Sequence, residues 1–178
     1  YQTEALYAGN APATGEQYNS TQKAPNVKPL VRVQSANYSY NLTRRDVNQF
    51  GELAAIDRIL LESPTVNLDF SYLNSTFYNE KALGFYINSG QGYSSAITNI
   101  LNKTEDDRNY FIKTVSEGVD AHDFGGSGAA AQFISIGNGF ISNFSTEASV
   151  GDFPRTTVSV EGLNMLFQQA RSGDAFFP

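Results

Sequence analysis

The sequence predicts a mainly β domain: an antiparallel sandwich or barrel-like fold with one short flanking helix and a long hairpin. Three observations carry that prediction. Residues 137–165 hold two alternating segments around a single break. Residues 65–72 form the cleanest alternation in the chain, with Val66, Leu68, Phe70 and Tyr72 on one parity and Thr65, Asn67, Asp69 and Ser71 on the other. Period-two alternation puts successive side chains on opposite faces of a sheet. Strand-like runs follow one another with helical signals only in the middle, without the strand–helix alternation that a parallel sheet requires.

In chain order, residues 1–29 are rich in Ala, Asn, Gln, Thr and Pro and lack apolar periodicity. They read as an extended arm or loop, because such a segment buries too little surface to offset its ordering entropy. A β domain is expected over 30–165, followed by a C-terminal extension over 166–178. Val31 and Val33 share one parity, and Ala36, Tyr38, Tyr40 and Leu42 take the other; the switch near Ser35 predicts a β-bulge. Residues 44–59, with Arg44, Arg45, Asp46, Gln49, Glu52 and Arg58 around Gly51, read as a loop with a helical turn.

After the 65–72 strand, Phe77, Tyr78 and Leu83 with Glu80 and Lys81 fit a short helix. Residues 94–101 fit either a helical turn or a strand. Residues 109–115, β-branched and aromatic, read as a strand. Residues 117–130, with Gly125-Gly126-Ser127-Gly128, read as a flexible loop, and Phe133, Ile134 and Ile136 as the next strand. In the final hairpin Phe140, Phe144, Ala148 and Val150 oppose Asn143, Ser145, Glu147 and Ser149; Thr156, Val158 and Val160 then oppose Arg155, Thr157, Ser159 and Glu161. Val150-Gly151-Asp152-Phe153-Pro154 supplies the turn residues. One shared core of Val66, Leu68, Phe70, Tyr72, Phe140, Phe144, Val158 and Val160 follows from these parities.

Composition narrows the function classes. A chain of 178 residues supports one domain with a full core. A net charge of −6 opposes a nucleic-acid-binding surface, which needs clustered Lys and Arg, and opposes docking on an anionic membrane. The absence of cysteine excludes disulfides and thiolate metal sites. No apolar run approaches the roughly 18–20 residues of a membrane span, and no signal peptide is visible. The start at Tyr1 and the apolar end Ala175-Phe176-Phe177-Pro178 carry the expectation of a longer natural chain.

Motifs for catalysis fail one by one. Gly125-Gly126-Ser127-Gly128-Ala129 approaches a nucleophile elbow, but its last position is Ala and the single histidine, His122, precedes it. His122 between Asp120 and Asp123 reads as a solvated loop histidine rather than a metal ligand. Gly137-Asn138-Gly139 lacks the third glycine of a dinucleotide fingerprint and leads into a strand. Glu105-Asp106-Asp107 lacks the spaced oxygen ligands of a calcium loop. The expectation is a protein that is not an enzyme and has no cofactor or metal.

Several phrases resemble a bacteriophage tail tube protein, a family related in fold to the tube protein of type VI secretion. They are ISIGNGFISNFS at 134–145, ASVGDFP at 148–154 and TVSVEGLN at 157–164, with VQSANYSYNLTRRDVN at 33–48, PTVNLDFSYL at 64–73 and EDDRNYF at 105–111 upstream. The resemblance implies a structural subunit of a virion tail. Such subunits form rings, usually of six tube domains, which stack into a hollow tube with other tail proteins and conduct DNA during genome ejection without binding it specifically. Some members carry two tube domains in one chain.

Acidity would repel phosphate, and short polar side chains would give a wall that does not retain DNA. On that basis Asn143, Ser145, Glu147, Ser149, Thr157, Ser159 and Glu161 are the lumen-facing candidates; Arg155, Arg58 and Arg108 would weaken the assignment if they faced the lumen. Arg44, Arg45, Asp46, Gln49, Glu52 and Arg58, together with the arm before Leu30, are the inter-subunit candidates, so that deleting residues 1–29 would leave a folded domain unable to form long tubes. Two alternatives remain: another virion β-sandwich, such as a capsid decoration or tail-terminator protein, and a secreted carbohydrate-binding β-sandwich.

Overall fold

The structure, a computed structural model, describes residues 3–10, 27–48, 50, 55–60, 62, 64–88, 90, 95–101, 107–122 and 131–170. Its elements are β1 (Thr3–Asn10), β2 (Lys28–Pro29), β3 (Val33–Asn41), β4 (Arg44–Asn48), β5 (Ala55–Leu60), β6 (Thr65–Leu73), α1 (Tyr78–Leu83), α2 (Thr98–Leu101), β7 (Arg108–Val115), β8 (Ala131–Glu147), β9 (Arg155–Gly162) and β10 (Asn164–Ala170). Every strand pairing among the described residues is antiparallel. The main sheet runs β2-β1-β7-β8-β9-β6-β3, with β10 also on β8.

The 17-residue β8 is the spine. Its first half lies between β7 and β10, and its second half pairs with β9. Because β9 and β10 follow one another along the same edge of β8, residues 131–170 form one long hairpin. The β2-β1-β7 wing attaches to one half of this hairpin and the β6-β3 wing to the other. The wings fold toward each other, and Phe70 of β6 meets Tyr110 of β7 with ring centroids 6.1 Å apart. Leu6, Leu30, Val66, Leu68, Phe70, Tyr72, Leu83, Tyr110, Ile136, Val158 and Val160 fill the space between them.

The corner where the wings meet needs two glycines. A Cβ on Gly139 would lie 2.8 Å from Val160 Cγ1, and one on Gly162 would lie 2.6 Å from Ile136 Cγ2. Beside them Asn138 takes a left-handed φ of 51°, and its N–H donates to Asn109 Oδ1 at 3.1 Å. The Gly137-Asn138-Gly139 phrase is thus a corner in the backbone. On the far side of the β1–β7 wing a second cluster joins Ala5, Tyr7, Phe111, Val115, Ala121, Ala131 and Phe133.

The mainly β antiparallel architecture, the short helix after β6, the long C-terminal hairpin and the bulge between Val33 and Ser35 match the expectations. Several expectations are corrected. Residues 3–10 are not an arm but a strand paired along its whole length with β7, with Leu6, Tyr7 and Ala8 buried. Periodicity misses it because sequence alternation marks strands with one wet face, whereas β1 is covered on both sides. At the other end the sheet continues through β10 to Ala170, so the 30–165 boundaries are too narrow on both sides.

Arg44–Asn48 and Ala55–Leu60 are not loop but the paired antiparallel strands β4 and β5, while the helical turn expected around Gly51 lies outside the described residues. In the core set Phe140 is 43% exposed, because a register shift between Ile141 and Asn143 turns Ile141 inward in its place. Phe144 packs on the core against Phe85 at 4.7 Å. Val150 lies fully exposed in the turn. The glycine-rich stretch 125–129, the acidic run 105–106 and the terminal residues 171–178 fall outside the described residues.

Candidate functional site: a continuous polar sheet face

The strands β8, β9, β6 and β3 lie side by side, and residues directly opposite one another share a face. One row reads Ser145–Thr157–Ser71–Ser35, the next Asn143–Ser159–Asp69–Asn37. A third reads Phe140–Glu161–Asn67–Ser39, and at the turn end Glu147 stands opposite Arg155. The opposite face of the same strands carries Val158, Val160, Leu68 and Phe70 in the core. Apart from the half-buried Ser159, Asn67 and Ser71, the row members of the polar face are exposed.

Six of the seven lumen-facing candidates, Asn143, Ser145, Glu147, Thr157, Ser159 and Glu161, lie together on this face. Ser149 does not: β8 ends at Glu147, and Ser149 belongs to the turn, where its carbonyl accepts the Asp152 N–H. The face also takes in Ser35, Asn37, Ser39, Asn67, Asp69 and Ser71, which sequence reasoning left out. Their short polar side chains were a visible signal, but the pairing of β6 with β9 was not.

Side chains on this face are mostly too short to reach across it. Ser35 Oγ and Ser71 Oγ lie 2.8 Å apart, and the Ser142 hydroxyl donates to the Ser159 carbonyl at 3.2 Å. Its charges are Asp69, Glu147 and Glu161 against Arg155, whose register partner is Glu147. Arg108 is 8% exposed and sits in the body of the fold rather than on this face.

The inter-subunit candidates Arg44, Arg45 and Asp46 lie on β4 and Arg58 on β5, with Asp46 paired in register to Arg58. Gln49 and Glu52 fall outside the described residues. Among the described residues the β4–β5 hairpin pairs only with itself, projecting beyond the ends of β3 and β6. It exposes Val47, Phe50 and Ile59.

At the opposite end of the sheet lies a small polar cluster. The Tyr72 hydroxyl donates to Glu80 Oε1 at 2.8 Å. Burial, then that bond and the Glu80 charge, push the Tyr72 pKa well above its usual value. Burial likewise raises Tyr110, whose hydroxyl has no hydrogen-bond partner among the described residues. The Thr156 hydroxyl donates to Asn74 Oδ1 at 2.7 Å, which leaves Thr146 as the donor to Thr156 at 2.9 Å.

His122 is exposed and its backbone N–H donates to Asp120 Oδ1. Among the described residues no group of three or more His, Cys, Asp or Glu could hold a metal ion. No helix among them is long and apolar enough to cross a membrane.

No family model and no curated protein matches the sequence. Among solved structures, the tube-terminating cap of the anti-feeding prophage superposes with a TM-score of 0.51 at 10% identity, over 94% of this chain and 88% of that one. The chain has the tail-tube fold. Two further structures superpose less closely. The sheath–tube complex of an extracellular contractile injection system gives a TM-score of 0.49 at 12% identity, over 93% of this chain and 88% of that one. The tail of an empty gene transfer agent particle gives 0.48 at 9% identity, over 93% and 95%. At such identities the likeness concerns the tail-tube fold alone, and function has to be argued from the polar face and the projecting hairpin.

Proposed function

We propose that this chain is a structural, non-enzymatic subunit of a virion tail tube. Copies close into rings of six tube domains, and rings stack into a hollow tube alongside other tail proteins. DNA passes through the tube without specific binding. The observation that supports this reading most is the continuous polar face of β3, β6, β9 and β8 on a tail-tube fold. Asn143, Ser145, Glu147, Thr157, Ser159 and Glu161 line the lumen in this reading, extended by Asn37, Asn67, Asp69 and Ser71. A face of short hydroxyls and carboxamides with a carboxylate excess repels phosphate and gives a moving polyanion no cationic patch to rest on. Arg155 is offset by the facing Glu147.

The β4–β5 hairpin, with Arg44, Arg45, Asp46 and Arg58 and the adjoining Gln49 and Glu52, makes contacts between subunits. Exposed Val47, Phe50 and Ile59 on a projecting element support that role, since grouped exposed apolar side chains mark interaction surfaces.

The likeness to a tube-terminating cap favours a second reading, in which rings form but do not stack. Electron microscopy of the purified protein separates the two. The tube reading expects stacked six-fold rings with a central channel, and the terminator reading expects single rings. Monomers at high protein concentration would sink both.

A further inference from the structure

The end of the sheet opposite the β4–β5 hairpin carries a recess of about 250 Å³ lined by Asn74, Ser75, Thr76, Phe77, Glu80 and Pro154. Glu80 is 9% exposed; its Oε1 accepts the Tyr72 hydroxyl, while its Oε2 has no hydrogen-bond partner among the described residues. A buried carboxylate with a free oxygen is costly unless a cation reaches it. The recess walls are suited to one kind of cation. Phe77, 70% exposed, and Pro154 offer apolar surface to a methylene stem, and an aromatic face attracts a guanidinium. Ser75 and Thr76 add hydroxyl acceptors.

We infer that this recess receives an arginine from the base of the β4–β5 hairpin of a second copy in the next ring, Arg44 or Arg45. The inference rests on the stacked-ring reading and names the contact that would hold the stack. Both arginines are exposed and adjacent, and they sit where the projecting hairpin leaves the body. β6 runs from the hairpin end at Thr65 to the recess end at Leu73, so the two features occupy opposite ends of one nine-residue strand, about 30 Å apart. A basic feature on one end and a buried acid in the other make a head-to-tail contact, the kind that repeats along an axis without closing. The hairpin base abuts the recess while the hairpin itself, with Val47, Phe50 and Ile59, lies along the neighbour.

The test uses the full chain, which contains no native cysteine. Thr76→Cys with Thr43→Cys places one thiol beside the recess and one beside the arginines. They are too far apart to join within a chain, because a disulfide needs Cα atoms within about 7 Å. Oxidation of assembled particles is expected to give a ladder of covalent multimers. Glu80→Gln keeps an acceptor for Tyr72 and removes the charge; rings without tubes are expected. Arg44→Gln with Arg45→Gln, away from the core, is expected to do the same and decides the matter if Glu80→Gln does not fold. Tubes of normal length from the charge variants, or tubes without the ladder, would overturn this contact and leave the tube reading standing. Failure of the unmutated chain to stack would remove the reading and this contact together.

Discussion

Gly162 of β9 faces Ile136 of β8 so closely that a methyl group on the glycine would sit 2.6 Å from the isoleucine Cγ2. Ile136 is fully buried, so it cannot swing aside into solvent. Gly162→Ala is expected to destabilise the fold by about 1–3 kcal/mol, the usual cost of overpacking, measured by urea unfolding. Gly151→Ala, where nothing lies within 4 Å but φ is +92°, separates crowding from backbone strain.

Phe70 and Phe140 have contrasting fates. Phe70 is 1% exposed between the wings, and Phe70→Ala is expected to cost about 3–5 kcal/mol. Phe140 points to the polar face, and Phe140→Ser is expected to change stability by no more than about 0.5 kcal/mol. Equal losses of melting temperature in the two variants would contradict the inward turn of Ile141.

Stability is expected to fall at alkaline pH. Tyr72 and Tyr110 are both held protonated in the fold beyond their ordinary pKa of 10.0. Above that pH the unfolded chain loses tyrosine protons that the folded chain retains, so rising pH favours unfolding. The contribution is fully present below pH 10 and is lost progressively above it. Because the Tyr110 hydroxyl has no hydrogen-bond partner among the described residues, Tyr110→Phe is expected to flatten the alkaline slope with little loss at neutral pH. Chemical denaturation across the alkaline range measures both effects.

Removing residues 1–29 is expected to abolish folding rather than assembly alone. The deletion takes away β1, with Leu6 and Tyr7 at 2% and 0% exposure, and uncovers the edge of β7. Circular dichroism of the truncated chain checks this; a cooperative melt would contradict it.

Glu147→Lys with Glu161→Lys tests the lumen. Both side chains are exposed on the polar face, so folding and tube formation are expected to persist while DNA ejection slows. Unchanged ejection through intact tubes would place this face on the outside.

The sequence makes legible the strands with one wet face. β6 and β9 alternate cleanly because one parity meets Phe70, Val158 and the core while the other meets solvent. β1 was missed because Tyr7 and Leu6 point to different apolar clusters, which erases the alternation. Phe140 was misplaced because a single-residue bulge inverts parity without changing composition. On the polar face the β8 and β9 residues were readable as a hairpin. Asp69, Asn67 and Ser71 join them through the β6–β9 pairing, a long-range contact that parity within one strand cannot specify.

The pairing of β1 with β7 sets an order of events during synthesis. Tyr7 leaves the ribosome well before its register partner Phe111, which emerges only after the whole β3–β6 wing and the β4–β5 pair have been made. Distant pairings are the slow ones, because their loops must close before any contact rewards them. The β3–β6 and β8–β9 pairings are far more local. β1 is therefore among the last of these strands to dock although it precedes them in the chain, and until it does its apolar residues and the edge of β7 stay open to other nascent chains. That interval is where correct closure competes with strand exchange between neighbouring chains.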